Sequence, residues 1–161
     1  MSVTVSRSGE DVSLELKSMA KRVKNPAKAF KQIGSFIAAA NRRQFATHGA
    51  YLGKPWKPLK PEYLQWKIRS GYSRRTLVMT GGMRASFVSR PMAIEEYYGT
   101  SAVYGSDHWL AKFHQYGTFR NGKRAIPPRP IMKKTPKIVR GVTGIMKAHV
   151  LGKKVAIRQF M

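Results

Sequence analysis

The sequence predicts an α+β fold, with N-terminal helices packed on a small antiparallel β-sheet, extended loops or arms, and a C-terminal helix. Helical spacing of apolar residues dominates the first third and recurs near the end, while short alternating segments occupy the middle. Three prolines among residues 127–130 exclude a helix or a central strand there. At 161 residues, 42% of them hydrophobic, the chain is long enough for one domain with a core.

We expect three regions along the chain. Residues 1–25 are predicted to form an N-terminal arm and a first helix. Residues 26–150 are predicted to form a single α+β domain. Residues 151–161 are predicted to be a basic tail or a closing strand.

The N-terminal region combines arm and helix signals. Residues 1–8 are predicted to be an arm or an edge strand, because Val3 and Val5 alternate with small polar residues. The next segment begins with acidic residues and ends with basic ones, a polarity that suits the helix dipole. This pattern predicts a helix over residues 10–23.

A longer helix is predicted over residues 26–47. An Asn-Pro dipeptide at positions 25 and 26 indicates an N-cap followed by proline at the first helical position. Phe30, Ile33 and Ile37 then recur at the three- and four-residue spacing of one buried stripe. We therefore assign these three residues to the core.

The loop after this helix is spaced by prolines, and Trp56 and Leu59 are its predicted anchors on the core. A short helix is predicted over residues 61–68. Its aromatic residues could also stack on nucleic-acid bases, but the regular prolines favour anchoring. Leu77 is a further predicted anchor.

Three short strands are predicted at residues 87–90, 93–98 and 102–105. Their close spacing favours an antiparallel meander. The aromatic run at residues 107–113 is predicted to be helical. A Thr-Pro dipeptide at positions 135 and 136 repeats the capping signal and begins a last helix that ends near Gly152.

Charge is the exceptional property of this chain. It contains 31 lysines and arginines against 7 aspartates and glutamates, which gives a formal net charge of +24. Residues 108–161 contain no acidic residue. Nucleic acid is the usual partner of such a surface, because neutralising phosphates releases counterions; a soluble basic surface without a dedicated ligand is the alternative. The candidate DNA-channel residues are Lys123, Arg124, Lys133, Lys134, Lys137, Arg140, Lys153 and Lys154.

Few residues could support catalysis. Glu95 and Glu96 are neighbours, so they point to opposite faces of a strand and make a poor acid–base pair. His108 and His114 are six residues apart, which does not place them on one helical face as metal ligands. There is no cysteine. We therefore predict no enzymatic activity, no cofactor and no metal site.

No stretch approaches the roughly 18 apolar residues of a membrane span, and the N-terminus lacks the pattern of a signal peptide. We therefore expect that the protein does not associate with a membrane and that it assembles in the cytoplasm.

Several sequence blocks occur in a characteristic order. They are Trp56 with Leu59, Lys67 on a predicted helix, Leu-Val-Met-Thr-Gly at 77–81, Tyr-Gly-Thr at 98–100, His-Gln-Tyr-Gly at 114–117 and Ile-Pro-Pro-Arg-Pro at 126–130. Over about residues 26–150 this series resembles the virion morphogenesis (tail completion) family of tailed bacteriophages, which includes the Mu-like proteins.

The resemblance implies a structural subunit of a phage neck or tail-end ring, a hexamer or dodecamer, with no cofactor. It would complete the tail and join it to the head connector around the DNA channel. Its partners would be further copies of itself, connector or neck proteins, tail tube proteins and double-stranded DNA contacted without sequence preference. It would belong to the virion and assemble in the host bacterial cytoplasm. A stand-alone basic nucleic-acid-binding protein is the alternative.

The proline-rich stretch has two possible roles, to brace the core of its own subunit or to contact a neighbouring one. The sequence leaves both open. The candidates for a subunit interface are His114, Gln115, Ile126, Pro127, Arg129, Pro130 and Ile131. For the second role we expect Arg129→Ala or Pro130→Ala to impair assembly more than folding.

Overall fold

The computed structural model describes residues 8–161, except for the side chain of Arg124. The described residues form six α-helices and two separate two-stranded antiparallel sheets, which confirms the α+β class. The predicted arm over residues 1–8 lies outside this part of the chain, apart from Ser8. None of the described helices is both long and apolar enough to cross a membrane.

The first two helices are α1 (Gly9–Lys24) and α2 (Ala27–Ala46), within two residues of their predicted ends. The Ser8 hydroxyl caps α1 by accepting a hydrogen bond from the Asp11 amide at 3.2 Å. The predicted N-cap role of Asn25 is wrong. Its amide donates to carbonyls of α1, so it closes that helix, and Pro26 takes the N-cap position of α2 without a side-chain hydrogen bond.

One half of the core lies between α2 and the last helix, α6 (Pro136–Val150). Phe30, Ile33, Phe36 and Ile145 are buried there, while Ile37 is half-buried against them. The Thr135 hydroxyl caps α6 by accepting from the Ile138 amide, as its Thr-Pro signal predicted.

The other half of the core surrounds the C-terminal end of α2. After α2 the chain forms three short helices, α3 (Pro61–Arg69), α4 (Gly82–Val88) and α5 (Ala111–Tyr116). The buried residues of this half are Phe45, Trp56, Met83, Phe87, Ala111 and Ile131. Trp56 is therefore a core anchor, as predicted, and α2 contributes to both halves.

The predicted three-stranded meander is wrong. Strands β1 (Ile94–Tyr98) and β2 (Ser101–Gly105) form one hairpin, and β3 (Thr118–Arg120) and β4 (Lys123–Ile126) form another around an Asn-Gly turn. Residues 87–90, predicted as a strand, contain the end of α4 instead. Met83 and Phe87 are four residues apart and both buried, so helical spacing prevails over the short alternation.

Two further segments differ from prediction. The helix predicted over residues 107–113 begins only at Ala111, because Ser106 and His108 accept hydrogen bonds from backbone amides two residues further on and hold a turn there. The predicted closing strand or basic tail contains a 3-10 helix at Ile157–Phe160. Phe160 packs edge-on against Phe36, so burial on the α2–α6 cluster decides its conformation.

Candidate functional site

The proline-rich stretch packs on the core of its own chain. The Arg129 amide donates to the His114 carbonyl at 2.6 Å. The Pro130 carbonyl accepts from Gln44 Nε2 at 3.1 Å and from Trp56 Nε1 at 3.0 Å. Ile131 is fully buried. The segment thus joins α2, the loop after it and α5 into one unit.

The Gln115 side chain pairs with backbone groups of Ile131 and Met132, as a neighbouring strand would in a sheet. Its side-chain oxygen accepts from the Ile131 amide at 2.9 Å and the Met132 amide at 3.3 Å, and its nitrogen donates to the Met132 carbonyl at 2.6 Å. A proline-rich segment has few amides of its own to pair. One glutamine therefore fixes the end of this segment against α5.

Arg129 is a buried cation held by backbone carbonyls. Its Nε donates to the Lys57 carbonyl at 2.9 Å and its Nη2 to the Pro58 carbonyl at 3.1 Å. Burial lowers the pKa of Arg129, an effect that Tyr63 partly opposes. The guanidinium still carries its charge, since arginine is not deprotonated in proteins. These bonds tie the proline-rich stretch to the loop before α3.

His114 lies beside this cation. Its Nδ1 is buried, with no hydrogen-bond partner among the described residues. Burial lowers the pKa of His114, and the charges of Arg129 and His108 lower it further. The imidazole is therefore neutral at pH 7. Of the predicted interface candidates, Arg129 and Ile131 are buried and the other five are half-buried, so that role remains a prediction.

An open apolar groove of about 950 Å³ lies beside this segment. We call it the aromatic groove; its walls include Leu59, Tyr63, Met79, Met83, Trp109 and Leu110. The exposed lysines Lys57 and Lys60 also line it. Leu59 and Leu77, predicted as core or loop anchors, are half-buried residues of its wall, and Leu77 also packs against the core. The groove has the volume and apolar lining of a binding cleft.

Lys67 supports one wall of the aromatic groove. Its ammonium is buried and donates to the carbonyls of Arg75 at 3.1 Å and Val78 at 2.8 Å. Burial lowers the pKa of this lysine. Leu77, between the two acceptors, has a positive φ of 61°. The sequence signalled Lys67 only as part of a block, and its role in holding this loop was not predicted.

The candidate DNA-channel residues do not form one cluster. Lys133, Lys134, Lys137 and Arg140 lie around the start of α6, whereas Lys153 and Lys154 follow its end. With 15 residues and roughly 1.5 Å per residue, the helix separates the two groups by about 22 Å. Lys123 and Arg124 lie on the β3–β4 hairpin.

Lys137 is partly engaged within the subunit. Its ammonium lies 4.1 Å from the centroid of the Tyr51 ring, and the Arg43 guanidinium lies 5.6 Å from the same ring. Such cation–π contacts are compatible with a phosphate contact on the solvent side. Lys133, Lys134 and Arg140 are exposed.

The two adjacent glutamates are both engaged, on opposite sides of β1. Glu95 accepts from the Met92 amide at 2.9 Å and pairs with Arg90 at 2.5 Å, while Glu96 accepts from the Tyr98 hydroxyl. Burial alone would raise the pKa of Glu95, but these bonds and one from Tyr97 hold it below its usual value. Among residues 8–161 no group of three His, Asp or Glu side chains is placed to hold a metal ion.

The fold and this site describe a basic α+β protein whose internal proline-rich brace borders an open apolar groove. The model of the phage virion morphogenesis family matches residues 8–151, and the chain belongs to that family. The resemblance inferred from the sequence blocks is thereby confirmed, and the match also includes α1. No curated protein and no solved structure matches the chain. The protein thus has a structural or assembly role in a phage virion.

Proposed function

We propose that the protein is a subunit of a ring at the phage neck or tail end. The ring completes the tail and joins it to the head connector around the DNA channel. In this role the protein has no catalytic activity and no cofactor. Its other partners are connector or neck proteins and tail tube proteins. The virion family supports the structural role, and the excess of exposed positive charges supports the place beside DNA.

The charge distribution is the observation that carries this proposal. Among the lysines and arginines with described side chains, only Lys67 and Arg129 are buried. With 7 acidic residues against 31 basic ones, most surface cations have no carboxylate to pair with. A surface of this kind repels other copies of itself unless a polyanion screens it.

A ring around a duplex satisfies that requirement. Several basic subunits would surround the phosphates of one DNA segment, and released counterions would favour the complex. Contacts made by lysines and arginines to the backbone carry no base information, so any genome sequence can pass. This property suits a channel rather than a regulatory protein.

Sedimentation of the full chain at near-physiological salt tests the ring. We expect a closed oligomer of six or twelve subunits, alone or with a short duplex present. A protein that stays monomeric in both conditions, binds nucleic acid tightly and has no affinity for phage connectors or tails would contradict the proposal.

Paired charge reversals test which end of α6 faces DNA. We combine Lys133→Glu with Lys134→Glu in one double variant, and Lys153→Glu with Lys154→Glu in its matched control at the other end. The variant at the DNA-facing end should reduce the salt slope of duplex binding by about one for each phosphate that the protein no longer neutralises. Equal slopes in both variants and the wild type would exclude both groups from the channel.

A stand-alone nucleic-acid-binding protein remains the second candidate because of its exposed aromatic residues. Tyr63 and Trp66 stack with ring centroids 5.4 Å apart, and Trp109 is 70% exposed. Such rings can stack on unpaired bases. Preference for single-stranded over double-stranded DNA, abolished in Trp109→Ala, would favour this second function.

A further inference from the structure

Helix α1 carries an apolar stripe that the described part of its own subunit leaves largely exposed, with only Met19 half-buried. Val12, Leu16, Met19 and Val23 follow one another at spacings of four, three and four residues, which places them on one face. Leu16 is 59% exposed and Val23 55% exposed, and no residue of α1 is buried. A contiguous exposed apolar stripe on a helix is a candidate interaction site.

The described part of the subunit holds α1 mainly at its C-terminal end. His149 Nε2 on α6 lies 3.0 Å from the Arg22 carbonyl and 3.2 Å from the Asn25 carbonyl. The Arg22 side chain lies against Gly152 beyond the end of α6. The N-terminal half of α1 is thus presented to solvent with its stripe exposed.

The aromatic groove is the complementary surface. It is open and mainly apolar, and none of its lining residues belongs to α1 of the same chain. A volume of about 950 Å³ accommodates several apolar side chains of a helix rather than a whole helix. Interfaces of this type use an amphipathic helix laid into a groove with anchors at i, i+4 and i+7.

Charge complementarity favours a second copy of this chain as the occupant of the groove. The first two turns of α1 hold Glu10, Asp11 and Glu15, three of the seven acidic residues in a chain of net charge +24. Asp11 and Glu15 lie along one edge of the apolar stripe. The groove is lined by the exposed lysines Lys57 and Lys60. The most acidic helix end therefore matches a basic groove of the same molecule.

We propose that the apolar stripe of α1 docks into the aromatic groove of the next subunit. The helix and the groove are different surfaces of one chain, so the contact is head-to-tail. Repetition of such a contact forms a ring where the rotation between subunits closes, and an open filament where it does not. This inference rests on the proposed ring and identifies the contact that would build it.

Cysteine cross-linking tests the contact directly, since the chain has no cysteine of its own. We pair Leu16→Cys with Met79→Cys in one variant and with Trp109→Cys in another, because both groove residues are exposed. Mild oxidation should produce a ladder of disulfide-linked oligomers in at least one of the two. In the matched controls, Leu14→Cys takes the place of Leu16→Cys and the groove cysteine is kept. Leu14 lies on the opposite face of α1 and is 65% exposed.

A second measurement uses charge in place of a cross-link. We expect Leu16→Asp to dissociate the oligomer into monomers, whereas Leu14→Asp sediments like the wild type. Both positions are exposed, so neither change disturbs a core, and circular dichroism checks that each variant is folded. Mixing Leu16→Asp with Met79→Asp should yield dimers, because one intact helix still meets one intact groove.

The outcomes separate this inference from the proposed function. A wild-type ring that persists in Leu16→Asp, with no more cross-linking than in the Leu14→Cys controls, would overturn the α1 contact and leave the ring intact. A wild-type chain that stays monomeric with and without a duplex, forms no ladder, binds nucleic acid tightly and has no affinity for phage connectors or tails would overturn both. If the groove captures an unrelated helix and the chain does not associate with itself, the α1 contact is also refuted.

Discussion

At the scale of single residues, two cations lie in the interior of the described part of the chain, and neither has a carboxylate partner there. Lys67 and Arg129 each donate to two backbone carbonyls of neighbouring loops. A chain with few acids satisfies buried cations with carbonyl oxygens, which are abundant in its proline-spaced loops. Lys67 therefore ties α3 to the loop after it, and Arg129 ties the proline-rich stretch to the loop before α3.

The hydrogen bonds of Arg129 change what its replacement should do. We expect Arg129→Ala to lower the free energy of unfolding by about 2–3 kcal/mol, because two carbonyls are left without their charged donor. Urea unfolding of the isolated subunit measures the change, and Arg120→Ala on the exposed hairpin is the control. A stable subunit that fails only to assemble would support the interface role predicted from the sequence.

His114 should make stability depend on pH. Its pKa in the folded protein lies below the ordinary value of 6.5, so the unfolded chain binds more protons between those two values. The free energy of unfolding should thus fall as the pH drops below about 6.5, until the folded pKa is reached. We expect His114→Asn to remove this component in urea titrations at several pH values.

The control for this change is His48→Asn. His48 is exposed and has a positive φ of 49°, a conformation that asparagine tolerates. A pH dependence unchanged in His114→Asn would mean that another group titrates in this range.

At the scale of elements, the contact between α2 and α6 depends on close approach. A side chain at Gly141 would overlap the ring of Phe36, which is fully buried. A side chain at Gly144 would overlap the ring of Phe160 in the terminal 3-10 helix. The two glycines that weaken α6 as an isolated helix thus allow its packing.

We expect Gly141→Ala to destabilise the protein by about 1–2 kcal/mol, since the overlap outweighs the better helix propensity of alanine. Gly144→Ala should cost less, because Phe160 is only half-buried and can shift more readily than the fully buried Phe36. Thermal unfolding compares both with Thr143→Ala, an exposed position between them. If Gly141→Ala proves stabilising, the Phe36 ring can shift away from the added methyl group, and the expected overlap does not occur.

At the scale of the whole molecule, charge sets the conditions in which the subunit is stable. Cations on its surface repel one another, and added salt screens this repulsion over a distance of about 10 Å at 0.1 M. We expect the midpoint of thermal unfolding to rise with sodium chloride between about 0.05 and 0.5 M.

The Lys133→Glu and Lys134→Glu double variant is the control for this effect. Each change lowers the formal net charge by two, so it falls from +24 to +20. The unfolding midpoint of this variant should rise less with salt than that of the wild type. If the unfolding midpoint rises equally with salt in both proteins, the repulsion between surface cations does not depend on the charges at this end of α6.

Much of the architecture follows from local sequence signals. Charge polarity placed α1, apolar spacing placed α2, helix start and stop signals placed α3, and the Thr-Pro capping signal placed α6. Alternation placed the β1–β2 hairpin. These signals act within a few residues, so they survive without knowledge of the rest of the fold. The sequence blocks indicated the family because their order and spacing extend over a large part of the chain, and the family match confirms it.

Only the tertiary structure decided what the ambiguous segments do. Burial on α2 made residues 82–88 a helix, and burial on α6 made the last residues a 3-10 turn rather than a strand. The role of the proline-rich stretch as an internal brace depended on hydrogen-bond partners between 16 and 86 positions away. Such partners leave no periodic trace in a sequence, because burial and hydrogen bonding between distant segments are properties of the folded chain alone.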